Sequence, residues 1–191
     1  MSGQIQSLNG SLIDNLEKTW FGKTVLVIAG TVALAIASQI SVPMVPVPIT
    51  MQTFAVTMIG ALYGWRLGGL TVLAWLAEAM IGLPVLAEFK SGIAPFMGPT
   101  AGYLVAFPLM AVLVGSFTQK GVTANRVFLG FSLHFAANLL CLLLGWLWLA
   151  QIIGGEKAWL AGVLPFLLGA ALKSALAAAV LKATVGRTKN H

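Results

Sequence analysis

Thr50 to Ile81 reads TMQTFAVTMIGALYGWRLGGLTVLAWLAEAMI, an apolar stretch interrupted in its middle by Gly64-Trp65-Arg66-Leu67-Gly68-Gly69. The interruption divides it into two candidate helices, Thr50 to Tyr63 and Leu70 to Ile81, and how they are counted sets the fold. Each is short for a full membrane crossing, which takes roughly 20 apolar residues at about 1.5 Å per residue. Their ends therefore extend into the flanking loops, or they cross a locally thin region.

The surrounding chain makes a lipid setting the premise. Of 191 residues, 59% are apolar and 8% are charged, against roughly 25% charged in a soluble domain. Four further apolar runs have spanning character: Lys23 to Ile40, Ala101 to Phe117, Val127 to Ile152 and Leu160 to Leu181. Between them lie the proline-rich Ser41 to Pro48 and a long loop, Gly82 to Pro99. This predicts an all-α integral membrane protein, a six-helix bundle forming a single transmembrane domain over 1–191. Residues 1–22 are expected to be a cytoplasmic lead-in, with a short amphipathic helix through Leu12, Ile13 and Leu16, and 183–191 a cytoplasmic tail. The polar start, with Asp14 and Glu17, lacks the basic and apolar regions of a signal peptide.

Loop charges test the count. With six helices, Lys18, Lys23, Arg66, Lys120, Arg126, Lys182, Arg187 and Lys189 fall on one side, and Lys90 and Lys157 on the other. Lys and Arg resist translocation, so the rich side is expected to be cytoplasmic. Trp20 and Trp65 fall at that interface and Trp146, Trp148 and Trp159 at the opposite one, as amphipathic rings prefer. Trp75 lies mid-helix, where packing is the simpler reading. The net charge of +6 is scattered rather than clustered, which excludes the basic patch a nucleic acid needs.

Ionisable groups inside the membrane are the sharpest functional signal, because each costs roughly 2.5–3.5 kcal/mol at a helix centre. Lys173 is one, flanked on its face by Gly169, Ala170 and Ala177. It either meets an anionic ligand, pairs with Glu78, or snorkels. Glu78 is either a wet helix-end carboxylate or a cavity residue. The fifth helix carries His134, Asn138 and Cys141 on one face, with Gly145 and Trp148 beyond, and interhelical hydrogen bonding is the favoured reading of that stripe. Ala29, Ala33 and Ala37 form a small-residue stripe on the first helix, suited to close packing or to docking another membrane subunit. The chain shows no phosphate-binding Gly-rich loop and no recognisable nucleophile–His–acid set. With the single Cys141 there is no disulfide framework. Neither an enzyme nor a metal or cofactor on this chain is expected, and ATP-driven work would need partner chains.

Three segments together resemble the BioY family, the biotin-specific substrate-capture (S) components of energy-coupling factor transporters. They are Pro46-Val47-Pro48-Ile49-Thr50-Met51-Gln52-Thr53-Phe54, Ile81-Gly82-Leu83-Pro84-Val85-Leu86 and Gly98-Pro99-Thr100-Ala101-Gly102-Tyr103-Leu104. The resemblance implies a pocket capped by the first and third loops. Its ligand would be biotin, captured outside and delivered inward across a bacterial inner membrane. Lys90, Gly98, Thr100, Tyr103 and Lys173 would lie at the ligand site, a Lys pairing with the carboxylate and Gln52, Thr53, Thr100 and Tyr103 adding polar contacts. The family usually has an Asp three residues before the sixth-helix Lys; here that position is Ala170, so Glu78 becomes the candidate to compensate. The implied partners are a transmembrane coupling protein docking on Ala29, Ala33 and Ala37, two ATPase subunits carrying the ATP, and membrane lipid. A homo-oligomer stays open. The alternatives are an S component for another small vitamin, a solitary biotin transporter, a scaffold subunit in which Lys173 is structural, and an intramembrane enzyme using Glu78, His134 or Cys141.

Overall fold

A computed structural model describes residues 19–120 and 126–185; the expected amphipathic lead-in and the end of the tail lie outside them. Helix α1, Trp20–Gln39, begins where the Thr19 hydroxyl caps the Gly22 amide at 3.1 Å, three residues earlier than the apolar pattern predicts. A side-chain acceptor at this position satisfies one of a helix's free amides. The proline-rich segment then forms two short strands, β1 (Ser41–Val42) and β2 (Ile49–Thr50), paired antiparallel with Ser41 opposite Thr50. A two-residue ladder is too short to leave an alternating pattern in the sequence, so it read as loop.

Helix α2, Gln52–Met80, settles the ambiguity of the opening stretch. Its helical geometry breaks at Gly64, with φ 72° and ψ 177°. In one continuous helix, residues eight apart would stand about 12 Å apart. A Cβ built on Gly68 instead lies 3.0 Å from the Gly60 Cα. The chain reverses at Gly64, and α2 is a helical hairpin whose arms, 52–63 and 65–80, touch through glycine. The expected loop 82–99 is more ordered than its sequence implies: a 3-10 turn at Ala87–Phe89 precedes the one-turn helix α3, Ala94–Met97. Helices α4 (Ala101–Gln119), α5 (Val127–Ile153), α6 (Gly155–Gly162) and α7 (Leu164–Val185) follow. The break between α6 and α7 at Val163 makes α6 a separate short helix, where the sequence predicted one run from Leu160.

Five helical segments are long and apolar enough to cross a membrane; the reversal in α2 makes six passes among the described residues. Both ends of the described chain therefore lie on one face. Lys23, Arg66, Lys120, Arg126 and Lys182 mark that face, and Lys90 and Lys157 mark the other. Lys23 lies 5.5 Å from the Trp20 ring and Arg66 4.9 Å from that of Trp65. Ile28, Val32, Ile36, Leu73, Val105, Leu143, Leu168 and Leu172 point outward and exposed, an apolar exterior suited to lipid. The protein is a multi-pass membrane protein.

Glycine sets how closely the passes approach. A Cβ on Gly60 would stand 2.4 Å from the Ala111 carbonyl oxygen and 2.8 Å from its Cα, and one on Gly115 2.5 Å from the Trp65 amide nitrogen. Both clashes are with backbone, which cannot swing aside. Gly60→Ala is expected to destabilise the protein by about 1–3 kcal/mol, the usual range for overpacking. Gly155→Ala, with nothing within 4 Å, leaves stability unchanged. Thermal unfolding in detergent distinguishes the two.

Candidate binding cavity

At the face opposite the basic one, the helix ends enclose a cavity of about 730 Å³, its open mouth included. The proline-rich loop supplies Val47 and Pro48, the start of α2 Gln52 and Thr53, and the 82–99 segment Leu86, Ala87, Lys90 and Pro95. Deeper walls come from Tyr103 and Phe107 on α4, Asn138 and Cys141 on α5, and Phe166, Ala170 and Lys173 on α7. Thr50 and Thr100 also line it. A mostly apolar concavity with a few placed polar groups is the usual form of a small-molecule site.

Lys173 is the pivot. Its ammonium donates to the Thr53 hydroxyl oxygen at 2.7 Å and to the Thr50 carbonyl at 3.0 Å. An ammonium has three hydrogens, so one remains for a ligand. Both partners are neutral, and among the described residues the one ion pair is Lys90 to Glu88, at 2.7 Å. The Lys173–Glu78 pair weighed from the sequence does not form. Glu78 is absent from the cavity wall because it rides on the 65–80 arm, which contributes none of the lining.

Most hydroxyl hydrogens around the cavity are already committed. Tyr103 donates to the Gly162 carbonyl at 2.8 Å, Thr100 to the Pro95 carbonyl at 2.9 Å, and Thr50 to Gln52 Oε1 at 2.9 Å. Gln52 in turn donates through Nε2 to Ser38 on α1 at 3.0 Å. The mouth is held in the same way. Gln39 donates to the Leu86 carbonyl at 3.0 Å and accepts from the Phe89 amide at 3.2 Å.

Of the residues singled out from the sequence, Gln52, Thr53, Lys90, Thr100, Tyr103 and Lys173 meet at this cavity. Gly98 does not line it; its carbonyl accepts from the Trp148 indole at 2.9 Å and so ties the loop to α5. On α1, Ala29 and Ala33 face outward while Ala37 is buried. Trp75 is fully buried, its ring 6.0 Å from Phe107 and its indole bonded to the Val85 carbonyl at 3.1 Å. Sequence reasoning missed the cavity role of Asn138 and Cys141, which it read as interhelical glue. Asn138 does bond across to Ser174 on α7, at 3.2 Å, but it also faces the cavity. The signal was there: a polar stripe on a helix whose other faces are apolar.

Fold and cavity define a class: a membrane-embedded protein that holds a small molecule at one face of its helix bundle. The BioY family profile matches residues 11–190, and this chain belongs to that family. A "Probable biotin transporter BioY" of Pyrococcus horikoshii is 36% identical over 167 residues, covering 87% of this chain and 98% of that protein. One of the same description from Rickettsia prowazekii is 33% identical, covering 78% and 76% respectively. Among solved structures, the S-component for biotin from an ECF-type ABC transporter superposes with a TM-score of 0.74 at 28% identity, covering 84% of this chain and 89% of that one.

The hydrogen bond from Tyr103 to Gly162 joins α4 to the end of α6 across 59 residues, in a buried setting. Tyr103→Phe leaves that carbonyl unsatisfied, at a cost of about 1–3 kcal/mol. A lowered thermal midpoint for the ligand-free protein is the expected result.

Proposed function

We propose that this protein is the biotin-capturing membrane subunit of a biotin uptake system, a transport component that performs no chemical step itself. One observation carries the reading: an apolar cavity that presents the spare hydrogen of Lys173, with no carboxylate among the described residues to neutralise that charge. Lys90, paired with Glu88 at 2.7 Å, also lines the cavity. Biotin is an apolar body and chain between two oxygen-bearing ends, a ureido carbonyl and a carboxylate. An apolar wall with one uncompensated cation, Lys173, suits such a molecule, which can offer that cation an oxygen acceptor. Family membership and the described roles of the relatives support the same ligand.

The excess of Lys and Arg on one face supports a cytoplasmic location for both chain ends, with the cavity opening outward from a bacterial inner membrane. Delivery then depends on partners: a transmembrane coupling protein and two ATPase subunits, where the ATP is spent. The ECF-type source of the similar structure supports that assembly, as does the lack of a nucleotide-binding motif here. The exposed Ala29 and Ala33 on α1 offer the coupling protein a close approach. No cofactor is assigned to this chain.

Calorimetric titration of the detergent-purified protein with biotin is expected to show saturable binding. Lys173→Met should weaken it at least about tenfold, since tenfold is 1.4 kcal/mol and a buried bond from a charged donor exceeds that. No binding by the parent protein, or equal affinity in the variant, overturns the reading.

A further inference from the structure

The Asn138 amide has a direction that its neighbours impose. Its Nδ2 donates to the His134 carbonyl at 2.9 Å and to the Ser174 hydroxyl oxygen at 3.2 Å. The first partner is a backbone carbonyl, which only accepts. The second has a single hydrogen, and that is given to the Ala170 carbonyl at 2.7 Å, so from Asn138 it too can only accept. Both amide hydrogens are therefore used in and beside the seam between α5 and α7, and the nitrogen cannot exchange places with the oxygen. Asn138 is 3% exposed and lines the cavity. Among the described residues no donor reaches its Oδ1. The fully enclosed side-chain atoms without a partner are the two ring nitrogens of His134, so Oδ1 borders open space, and the cavity is the open space that Asn138 meets.

We propose that Asn138 is a specificity-determining residue whose Oδ1 accepts an N–H of the bound ligand. This rests on the biotin reading, because biotin's N–H groups are confined to its ureido ring. A carboxylate placed there would face an acceptor and be repelled. Lys173 immediately precedes Ser174, the residue that orients Asn138. Lys173 and Asn138 line the same cavity, and a donor and an acceptor in one cavity match the C=O and N–H edge of a urea. The ring then lies inward against α5 and α7, and the carboxylate turns away from Asn138.

The test compares biotin with its two carbamate isosteres, in each of which one ring N–H is replaced by oxygen, by titration of the parent protein and of Asn138→Ala. The parent protein is expected to bind one isostere at least about tenfold more weakly than biotin, equivalent to 1.4 kcal/mol. In Asn138→Ala, biotin weakens and the gap between biotin and that isostere shrinks to about twofold or less. Equal binding of biotin and both isosteres by the parent protein overturns the inference whether or not the variant folds. So does an undiminished gap in the variant. If the parent protein binds none of the three, the biotin reading itself fails, and this inference with it.

Discussion

A positive charge inside a lipid-embedded bundle must be solvated by the protein, and the bonds from Lys173 to Thr50 and Thr53 do this across 123 and 120 residues of chain. The Thr50 carbonyl is free for the task because the helical ladder of α2 begins one residue later, with the Ala55 amide on the Met51 carbonyl at 3.1 Å. The β1–β2 pairing brings Thr50 to that point. The proline-rich loop, the start of α2 and the middle of α7 are thus joined through one ammonium. Insertion of a Lys at such depth costs roughly 2.5–3.5 kcal/mol. Two neutral acceptors offset part of that cost and leave the charge itself uncompensated. A site so arranged favours an oxygen-bearing ligand over an empty cavity.

The rest of the cavity is economical with its hydrogen bonds. Tyr103, Thr100 and Thr50 spend their hydroxyl hydrogens on protein acceptors, which fixes the walls and removes those groups as donors. The polar atoms left to meet a ligand are then few, chiefly the remaining hydrogen of Lys173 and the Oδ1 of Asn138. This is the pattern expected where a small ligand must be told apart from others of similar size, since a polar atom left unpaired in a dry site is costly. Close glycine contacts give the rigidity that makes it effective. A Cβ on Gly145 would sit 2.2 Å from the Tyr103 ring, and one on Gly162 2.5 Å from its hydroxyl oxygen, so Tyr103 is held at both its ring and its tip.

What the sequence made legible follows from the strength of each signal. Helix number and the grouping of charged loops were readable because apolar length and Lys/Arg placement act through the bilayer as a whole. Lys173 stood out for the same reason. The turn at Gly64 was readable as an interruption, although helix lies directly on either side of it. Glu78 was misjudged because a carboxylate near a helix end carries no sign of which neighbour its face meets; the 65–80 arm turns no residue to the cavity. Asn138 was half read. Its bond to Ser174 was foreseeable in kind, but the direction of its amide depends on where the Ser174 hydrogen goes, and that is a fact of three residues on two helices.

The mouth of the cavity shows most clearly why local sequence is insufficient. Glu88 and Phe89 both adopt left-handed backbone, with φ of 59° and 56°, although neither is glycine and each such residue costs on the order of 1–3 kcal/mol. No propensity would place a turn of this kind at Ala87–Phe89. It persists because Gln39, at the end of α1, grips the Leu86 carbonyl and the Phe89 amide together, while the Lys90 amide and carbonyl close on Ala87 and Leu86. Leu86 and Ala87 are buried beneath it. The conformation of the loop is therefore imposed by a helix some 50 residues earlier in the chain. The position of Lys90 over the cavity is inherited from α1 in the same way, and Ser38, one residue before Gln39, holds Gln52 on the opposite wall. Two walls of the binding site thus take their placement from the last turn of a single helix.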